Sequence, residues 1–503
     1  MRFTSLPVEL IRARPRLMVW IVTLALTALW LAVPLLVYGS PPGDVAMRLA
    51  YGREYQVGIA AGPPLAFWLA DIAFRFAGNH IAGVYLLTQL CIMATYWAVF
   101  ALSRAIVGPQ HAVLAVLLTA TITFFGFPSL DFGPDVLAQP LWTLLVVSVW
   151  RIVGQGRRSG WFTFSTTAGL LLLTTPAAPV LLLFVAAFAL ATRRGRRALL
   201  SFDPLLALIA IVVLALPYLM WLIRAGDLPP AAWPALPPWR EAMTQWGALV
   251  GIMAASLIGL AALVAVGSLP VRGNRDEAPD VMRRPVAPFA RTFVLVFALV
   301  PPLGGALLSV LTGHDRVVGG AGTLLSLSGL AAMVLMRERI ALHHRPVLRA
   351  IWAAAVAAPA LAVIAAALFQ PWLGQHELAT APPARAIGTF FAENFARRTG
   401  QPLPVVAGDP QLAALIGMSA PRPHVFLDAT PERTPWLTLD DVRKSGGVVV
   451  WRATDTAGAA PPETAARFPG LVPELPRAFS RLVDGRLPPL RIGWAIVRPA
   501  AAP

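Results

Sequence analysis

The fold class follows from residues 17–37, which read LMVWIVTLALTALWLAVPLLV. This stretch holds no charged residue, and an α-helix needs about 20 apolar residues to cross the roughly 30 Å of hydrocarbon in a bilayer. Comparable stretches occur at residues 204–223 and 351–369. The chain as a whole has a mean hydropathy of +0.68 and only 13% charged residues, which is far from the composition of a soluble domain. The sequence therefore predicts a polytopic α-helical membrane protein.

The apolar stretches predict about eleven spans, and each reaches or approaches the length that a bilayer requires. They are residues 17–38, 81–103, 111–127, 135–153, 161–175, 177–192, 204–223, 247–267, 292–311, 317–336 and 350–370. The first span contains Trp20 and Trp30 and precedes no small-residue cleavage site, so we expect a retained anchor and not a signal peptide.

The positive charge is distributed in a way that predicts the orientation. Lys444 is the one lysine, and the formal net charge of +16 therefore rests on arginine. If the N-terminus is cytoplasmic, 21 arginines lie in inside segments and six in the outside loops before residue 371. This asymmetry is the positive-inside pattern. It predicts that the C-terminal region lies on the outer side of the membrane. The excess of arginine, alanine and proline is typical of a GC-rich bacterial genome, so we expect a bacterial inner-membrane protein with a periplasmic C-terminal region.

The basic charge does not indicate nucleic-acid binding. Arginines such as Arg193, Arg194, Arg196 and Arg197 lie beside predicted helix ends. There they set topology and meet the headgroups of anionic membrane lipids. Membrane lipids, and no nucleic acid, are thus expected partners.

The pattern changes near Trp372, where apolar runs shorten and Pro, Gly and Asp separate them. Residues 1–371 are expected to form a transmembrane domain, and residues 372–503 a small periplasmic α/β domain. Short buried strands are predicted at Val405–Ala407, His424–Leu427, Val448–Trp451 and Ile492–Val497, with helices at Ala386–Arg398, Pro410–Ile416 and Leu439–Lys444. The region lacks a glycine-rich dinucleotide loop, and we assign no active site to it.

The first outside loop, residues 39–80, is long for a connection, and long loops are often functional. Asp44 just beyond the first span is suited to accept a proton from an acceptor hydroxyl or to hold a divalent cation, Mg²⁺ or Mn²⁺. The alternative is a solvated loop acid. Residues 65–76 predict a short amphipathic helix at the interface, with Asp71 and Arg75 one turn apart.

A second acid, Asp135, begins the fourth predicted span. It has two interpretations, a structural helix cap or a group that faces Asp44 and orders the first loop or a metal. Arginines that remain on the outer side, Arg48, Arg53, Arg224, Arg240 and Arg316, are candidates to pair with a phosphate, or they face solvent and headgroups.

Several classes are excluded by missing motifs. No Gly-x-x-x-x-Gly-Lys phosphate loop and no His-Glu-x-x-His occurs, and Cys91 is the one thiol, so neither an intrachain disulfide nor a cysteine metal site can form. Ionisable residues are almost missing from the predicted spans, which argues against a proton-coupled transporter.

At this point the chain resembles the bacterial membrane glycosyltransferases of family 39, which have the GT-C fold. That fold is shared by protein mannosyltransferases and by the aminoarabinose and galacturonic acid transferases of lipid A modification. The resemblance is best over residues 15–225. It rests on Asp44, on the runs Gly62–Leu69, Phe132–Leu137 and Leu171–Pro176, and on Leu216–Tyr218 followed by Trp221–Arg224.

The resemblance implies that Asp44 is the catalytic base or an orienting group and that Asp135 supports it. It implies a polyprenyl-phosphate sugar donor, no nucleotide, and inversion at the anomeric carbon. The residues expected to bind substrate are Arg48, Arg53, Glu54, Pro63, Pro64, Arg224 and Arg316. The chain departs from the family at Val45, where many members have Glu, at Gly62, where many have His or a similar polar residue, and at Thr174–Thr175, where many have Lys.

These observations favour a glycosyltransferase that moves a sugar to a lipid, polysaccharide or protein acceptor on the periplasmic face. The alternative is a non-catalytic GT-C-like protein, either a lipid or polysaccharide flippase or an envelope scaffold. A secondary transporter would show inverted repeats and polar breaks at the midplane of the spans, and neither is evident.

Overall fold

Long apolar helices dominate the chain before residue 374 in a computed structural model. The structure describes residues 6–59, 61–225, 237–268, 281–282, 285–336, 339–340, 346–374, 376–427, 434, 436–453, 458–483 and 485–499. The helices are α1 (Leu6–Ala13), α2 (Pro15–Val37), α3 (Val45–Arg53), α4 (Leu65–Phe76), α5 (Ala82–Val107), α6 (Pro109–Thr119), α7 (Pro134–Val149), α8 (Gly160–Leu172), α9 (Ala178–Ala191), α10 (Arg193–Leu199), α11 (Asp203–Arg224), α12 (Trp239–Ser256), α13 (Ile258–Ser268), α14 (Pro288–Leu311), α15 (Ala321–Leu324), α16 (Ser328–Leu335), α17 (Pro346–Leu373), α18 (Ala384–Thr399), α19 (Pro410–Gly417), α20 (Leu439–Ser445) and α21 (Pro462–Arg467). The strands are β1 (Val281–Met282), β2 (Arg339–Ile340), β3 (Val405–Gly408), β4 (His424–Val425), β5 (Gly447–Arg452), β6 (Pro473–Phe479) and β7 (Leu490–Val497).

Six helices in the described residues are long and apolar enough to cross a membrane, or up to nine if each of three bent pairs is one span. The fold class predicted from the sequence is confirmed, but the predicted count of about eleven spans is too high. Two predicted spans account for the difference. Helix α8 has 13 residues and is about 20 Å long at 1.5 Å per residue, which is shorter than the hydrocarbon layer. The apolar segment Ala321–Leu335 is also too short.

The chain divides into two compact units, the first formed by residues 1–30 with 88–361 and the second by residues 31–87 with 362–503. The predicted domain boundary at residue 371 stays a prediction. By compactness, the segment after the first span groups with the C-terminal residues.

Helix α7 lies in the interior of the first unit, since 89% of its apolar window is buried, against 17% for α11. Its Trp142 is fully buried and approaches Phe297 of α14, with ring centroids 6.1 Å apart. Phe293 of α14 and Phe188 of α9 extend this aromatic core, with centroids 5.3 Å apart. Helix α11 instead exposes apolar side chains along most of its length, which is stable only against hydrocarbon.

The second unit contains a five-stranded mixed sheet in the order β4-β3-β5-β7-β6. Strand β3 is parallel to β4 and β5, whereas β7 is antiparallel to β5 and β6. Alternate residues of β5 point to opposite faces. Val448 and Val450 pack with α18 and α19, and Val449 and Trp451 pack on the other face. The predicted α/β layer fold is therefore observed, with all four predicted strands and all three predicted helices; β6 and α21 were not predicted.

Helix α20 begins with a complete capping box that gives a first testable prediction. Thr438 Oγ1 accepts from the Asp441 backbone N–H at 3.2 Å, and Asp441 Oδ2 accepts from the Thr438 N–H at 2.9 Å. We expect Thr438→Ala to destabilise α20 by about 1 kcal/mol, because backbone donors in the first turn lose their acceptor. Amide hydrogen exchange of residues 439–445 should accelerate accordingly. Ser445→Ala is the control, since its hydroxyl donates to the Asp441 and Gly446 carbonyls and caps no backbone N–H of the first turn. Equal exchange in both variants would contradict the prediction.

Candidate active site

Asp44 lies immediately before α3 and is well exposed, with 64% of its side chain accessible. Its carboxylate approaches the guanidinium of Arg48 one turn later, at 3.7 Å, and Arg48 is largely buried. The preceding residues hold this helix start in place, because the Gly39 N–H donates to the Thr380 carbonyl at 2.9 Å and Ser40 Oγ donates to the Pro382 carbonyl at 2.9 Å. Asp44 is thus an exposed carboxylate on an anchored helix.

Helix α3 is fixed on two further sides within the second unit. Ala46 packs with Ala414 and Leu415 of α19. On another side, Gly52 lies so close to α4 that a Cβ atom there would be 2.1 Å from the Phe67 carbonyl oxygen. Such an approach of two helices is possible only with glycine. The position of Asp44 is therefore determined by packing over the whole length of α3.

The structure explains two of the departures from the family pattern in this unit. The Val45 side chain is completely buried, so the acid that many family members have at this position has no place in the packing seen here. Gly62 has a φ of 120°, a backbone conformation that favours glycine over a residue with a Cβ atom. Pro63 and Pro64 are both buried in the turn that begins α4, and their assignment as substrate-binding residues stays a prediction.

A buried polar network surrounds Asp71 of α4, which has no exposed surface. Its carboxylate accepts hydrogen bonds from the Tyr55 hydroxyl at 2.9 Å and from Arg422 Nη2 at 2.5 Å, and it forms an ion pair with Arg75 Nε at 2.6 Å. Helix α4 was predicted and is observed at Leu65–Phe76, but Asp71 points into the second unit and not into solvent. Burial, and next the hydrogen bond to Asp71, raises the pKa of Tyr55, which keeps this phenol protonated as a donor.

Two of the predicted substrate-binding residues belong to an adjoining cluster at the end of α3. Glu54 Oε1 accepts from His424 Nδ1 at 2.8 Å, while Nε2 of the same ring lies 3.4 Å from Arg53 Nη2. These partners indicate the imidazole tautomer with the proton on Nδ1. Burial lowers the pKa of Arg53, and its Nη1 is a buried donor with no hydrogen-bond partner in the described part of the chain. Arg53 and Glu54 therefore hold His424, and their role in substrate binding stays a prediction.

In the first unit, Asp135 is exposed in the first turn of α7. Its backbone carbonyl accepts from Thr323 Oγ1 at 3.2 Å, and a Cβ atom on Gly320 would be 3.2 Å from its carboxylate. The loop that ends at Gly320 also carries the exposed Arg316, so this loop and the start of α7 meet at one end of the unit. Arg224 is exposed at the end of α11.

The Thr174–Thr175 pair, where many family members have lysine, is also buried in the first unit. Thr174 Oγ1 donates to the Leu170 carbonyl at 2.7 Å, and Thr175 Oγ1 accepts from the Ala177 N–H at 3.3 Å. Both hydroxyls therefore stabilise the turn between α8 and α9.

Within the described residues, no group of three or more His, Cys, Asp or Glu side chains is arranged to hold a metal ion. The carboxylate of Asp44 approaches the guanidinium of Arg48. The predicted Mg²⁺ or Mn²⁺ stays a prediction.

Reasoning from the sequence placed Arg75 one turn from Asp71, but it did not identify Tyr55, Arg422 or His424 as members of these clusters. One local signal was present, because Asp71 is the one acid inside the apolar run of α4. An ionisable residue in such a run requires a partner. Arg422, 351 residues further along the chain, carries no signal that identifies it as that partner.

Comparison with known proteins supports this architecture. Residues 61–221 match the family described as dolichyl-phosphate-mannose-protein mannosyltransferase. No curated protein matches the sequence.

Two solved structures of ArnT from Cupriavidus metallidurans are similar to the chain. ArnT bound to undecaprenyl phosphate has a TM-score of 0.62 at 13% identity, with 96% of this chain and 98% of that chain covered. ArnT in the apo state has a TM-score of 0.61 at 12% identity, with 95% and 98% covered. The resemblance predicted from the sequence is thus confirmed: residues 61–221 match the mannosyltransferase family, and the GT-C-like membrane fold is similar to that of ArnT over nearly the whole length of the chain.

Proposed function

We propose that the chain is a membrane glycosyltransferase that moves a sugar from a polyprenyl-phosphate donor to a lipid, polysaccharide or protein acceptor on the periplasmic face of a bacterial inner membrane. The observation that carries this proposal is the family match at residues 61–221. The similar fold of ArnT, a protein solved with undecaprenyl phosphate, supports a polyprenyl-phosphate donor.

The proposed reaction is a single displacement. An acceptor hydroxyl attacks C1 of the sugar, its oxygen forms the new bond to C1, and the bond from C1 to the phosphate oxygen breaks. Asp44 takes the hydroxyl proton, for which its exposed carboxylate is suited. The electron pair leaves with the polyprenyl phosphate, and inversion at C1 follows from attack opposite the departing oxygen.

The departing phosphate gains negative charge, so the protein is expected to supply cations and positioned donors. Arg48 beside Asp44 is one such cation. Arg224 and Arg316 are exposed at ends of helices or loops in the first unit and remain the proposed phosphate partners. Asp135 remains the proposed supporting acid, as the family resemblance implies.

The test is a transfer assay combined with envelope analysis. Purified full-length protein in lipid vesicles, supplied with an extract of undecaprenyl-phosphate sugars and with envelope lipids, polysaccharides and proteins as acceptors, should release undecaprenyl phosphate in equal amount to the glycosylated product. Mass spectrometry of envelope lipids, polysaccharides and proteins should show one glycan lost on gene deletion. A flippase or scaffold would change the envelope in the deletion strain but would release no undecaprenyl phosphate in the assay, and that result would overturn the proposal.

Arg316→Gln gives a further prediction. If Arg316 pairs with the donor phosphate, its loss removes a charge-assisted hydrogen bond and should lower kcat/KM for the donor about tenfold. Donor saturation curves in the vesicle assay measure the effect. Arg197→Gln is the control, because this exposed arginine lies on α10, on the predicted cytoplasmic side. A similar loss in both variants would point to a general effect of charge and contradict the role of Arg316.

A further inference from the structure

The network at Asp71 joins two parts of the second unit that are remote in sequence. Tyr55 and Arg75 belong to the segment after the first span, whereas Arg422 precedes β4 and lies 351 positions from Asp71. All three donors meet one carboxylate with no exposed surface. Since buried charges persist only when they are paired, Asp71 and Arg422 must remain together while the unit is folded.

The backbone gives a second, independent observation. Tyr55 has a φ of 49° and Arg422 a φ of 62°, in the left-handed region that residues with a Cβ atom rarely adopt. Only one other non-glycine residue of the described chain has a positive φ, namely Asn79, and asparagine tolerates this region well. Such conformations persist where surrounding contacts impose them, and they concentrate at functional sites. Both of these strained residues donate to Asp71.

The neighbouring contacts show what the network holds. Arg422 lies over the Phe74 ring of α4, 4.9 Å from its centroid. Two residues later, His424 donates to Glu54 at the end of α3. The segment at residues 422–424 thus contacts both α3 and α4, while α19 packs against Ala46 near the start of α3. Helix α3, which follows Asp44, is therefore held near its start by α19 and at its end by His424.

We propose that Asp71 is a positioning residue, which locks residues 422–424 of the C-terminal region against α3 and α4 and thereby aligns Asp44 for transfer. This inference rests on the proposed function of Asp44. It gives the C-terminal region a defined part in the reaction, as the scaffold that sets the geometry of the first outside loop. Asp71 itself touches no substrate in this scheme.

The experiment compares Asp71→Asn, Arg422→Gln and the double variant in the vesicle assay. Asparagine has the size of aspartate, so the substitution creates no cavity. Its neutral amide has one acceptor oxygen and cannot pair with two guanidinium groups and a phenol, so the link to Arg422 is weakened. We expect kcat to fall roughly tenfold to a hundredfold with donor KM changed less than about threefold, because misplacement of a reacting group acts on the chemical step. The double variant should have a kcat no lower than that of the more impaired single variant, since both substitutions break the same link between Asp71 and Arg422.

The matched control is Arg75→Gln. Arg75 binds the same carboxylate from within α4 and is half-exposed, so its loss leaves the link to Arg422 intact. Its kcat should fall no more than about threefold. If Arg75→Gln lowers kcat as much as Arg422→Gln does, then kcat depends on the compensation of the Asp71 charge and not on the link to residues 422–424. That result would overturn the proposal.

If Asp71 positions Asp44, we expect a result that would not follow if Asp71 only stabilised the fold. In an Asp44→Asn background, Asp71→Asn should cause no further loss of kcat, because its effect acts through Asp44. Losses that multiply would overturn the proposal. If Asp71→Asn is not recovered from membranes, Arg422→Gln in the same background carries this test.

Amide hydrogen exchange of residues 45–53 separates the inference from the proposed function. Faster exchange in Asp71→Asn and Arg422→Gln, but not in Arg75→Gln, is expected whether or not the wild-type chain transfers sugar. If the wild type is inactive while exchange accelerates as expected, the proposed function is wrong, but the link from Asp71 to residues 422–424 does stabilise α3. If exchange accelerates and kcat is unchanged, this link stabilises α3 without positioning Asp44, and the inference is wrong.

Discussion

Asp44→Asn is expected to lower the rate of sugar transfer by about a thousandfold, within the range found on removal of a general base. The substitution keeps the size of the side chain and the packing of α3, because the carboxylate is exposed and the buried residues of α3 are unchanged. It removes only the capacity to accept a proton from the acceptor hydroxyl. Release of undecaprenyl phosphate in the vesicle assay and restoration of the envelope glycan in a deletion strain both measure the effect.

Asp440→Asn is the matched control for this variant. Asp440 is also an exposed carboxylate at the start of a helix, and it pairs with Arg443 one turn later at 3.2 Å. Its loss should leave transfer within about twofold of the wild type, because an exposed pair of this kind contributes little to stability. If Asp44→Asn restores the envelope glycan as fully as the wild-type gene does, the catalytic role of Asp44 is wrong and a non-catalytic function is favoured.

Gly52→Ala is expected to produce the largest structural effect. Its Cβ atom would be 2.1 Å from the carbonyl oxygen of Phe67 and 2.9 Å from the carbonyl carbon, both in the backbone of α4. Neither atom can rotate away, so α3 and α4 must separate. Overpacking of this kind costs about 3 kcal/mol or more when backbone has to move. We expect a lower thermal unfolding temperature and loss of transfer activity, since α3 carries Asp44 at its start.

A helical glycine without such a neighbour provides the comparison. Gly251 lies in α12, and a Cβ atom there would meet nothing within 4 Å. Gly251→Ala should be neutral or stabilise the chain by about 0.5 kcal/mol, because alanine loses less backbone entropy in a helix than glycine. Equal unfolding temperatures for Gly52→Ala and Gly251→Ala would show that α3 and α4 do not approach as described.

The secondary structure that could be predicted from the sequence is the part controlled by local pattern. Apolar runs located every long helix, and short runs such as Val448–Trp451 located strands, because burial on both faces of a sheet demands continuous apolar residues. Strand β6 escaped prediction since Pro473 and Pro476 argue against a strand. It exists because β6 is the edge strand of the sheet, where a missing N–H is tolerated.

For the candidate site too, the local features could be predicted from the sequence and the long-range contacts could not. Asp44 could be found because a carboxylate next to the first span and a family-like run at Gly62–Leu69 are both local features. The burial of Pro63 and Pro64 could not be predicted, and neither could the use of Arg53 and Glu54 to hold His424. These outcomes depend on which surfaces meet after the chain has folded.

By itself, the sequence determined that this protein has several membrane-spanning helices, a C-terminal α/β region and an acid beyond the first span, because hydropathy and periodicity act over a few turns of chain. Tertiary structure alone decided how many helices are long enough to span the bilayer. Helix α8, for example, ends at Leu172, so it has only 13 residues although the apolar run continues. It also decided that Asp71 pairs with Arg422 and that two strained residues serve one carboxylate. A contact between residues 351 positions apart leaves no local pattern, because its free energy exists only when both segments are packed together.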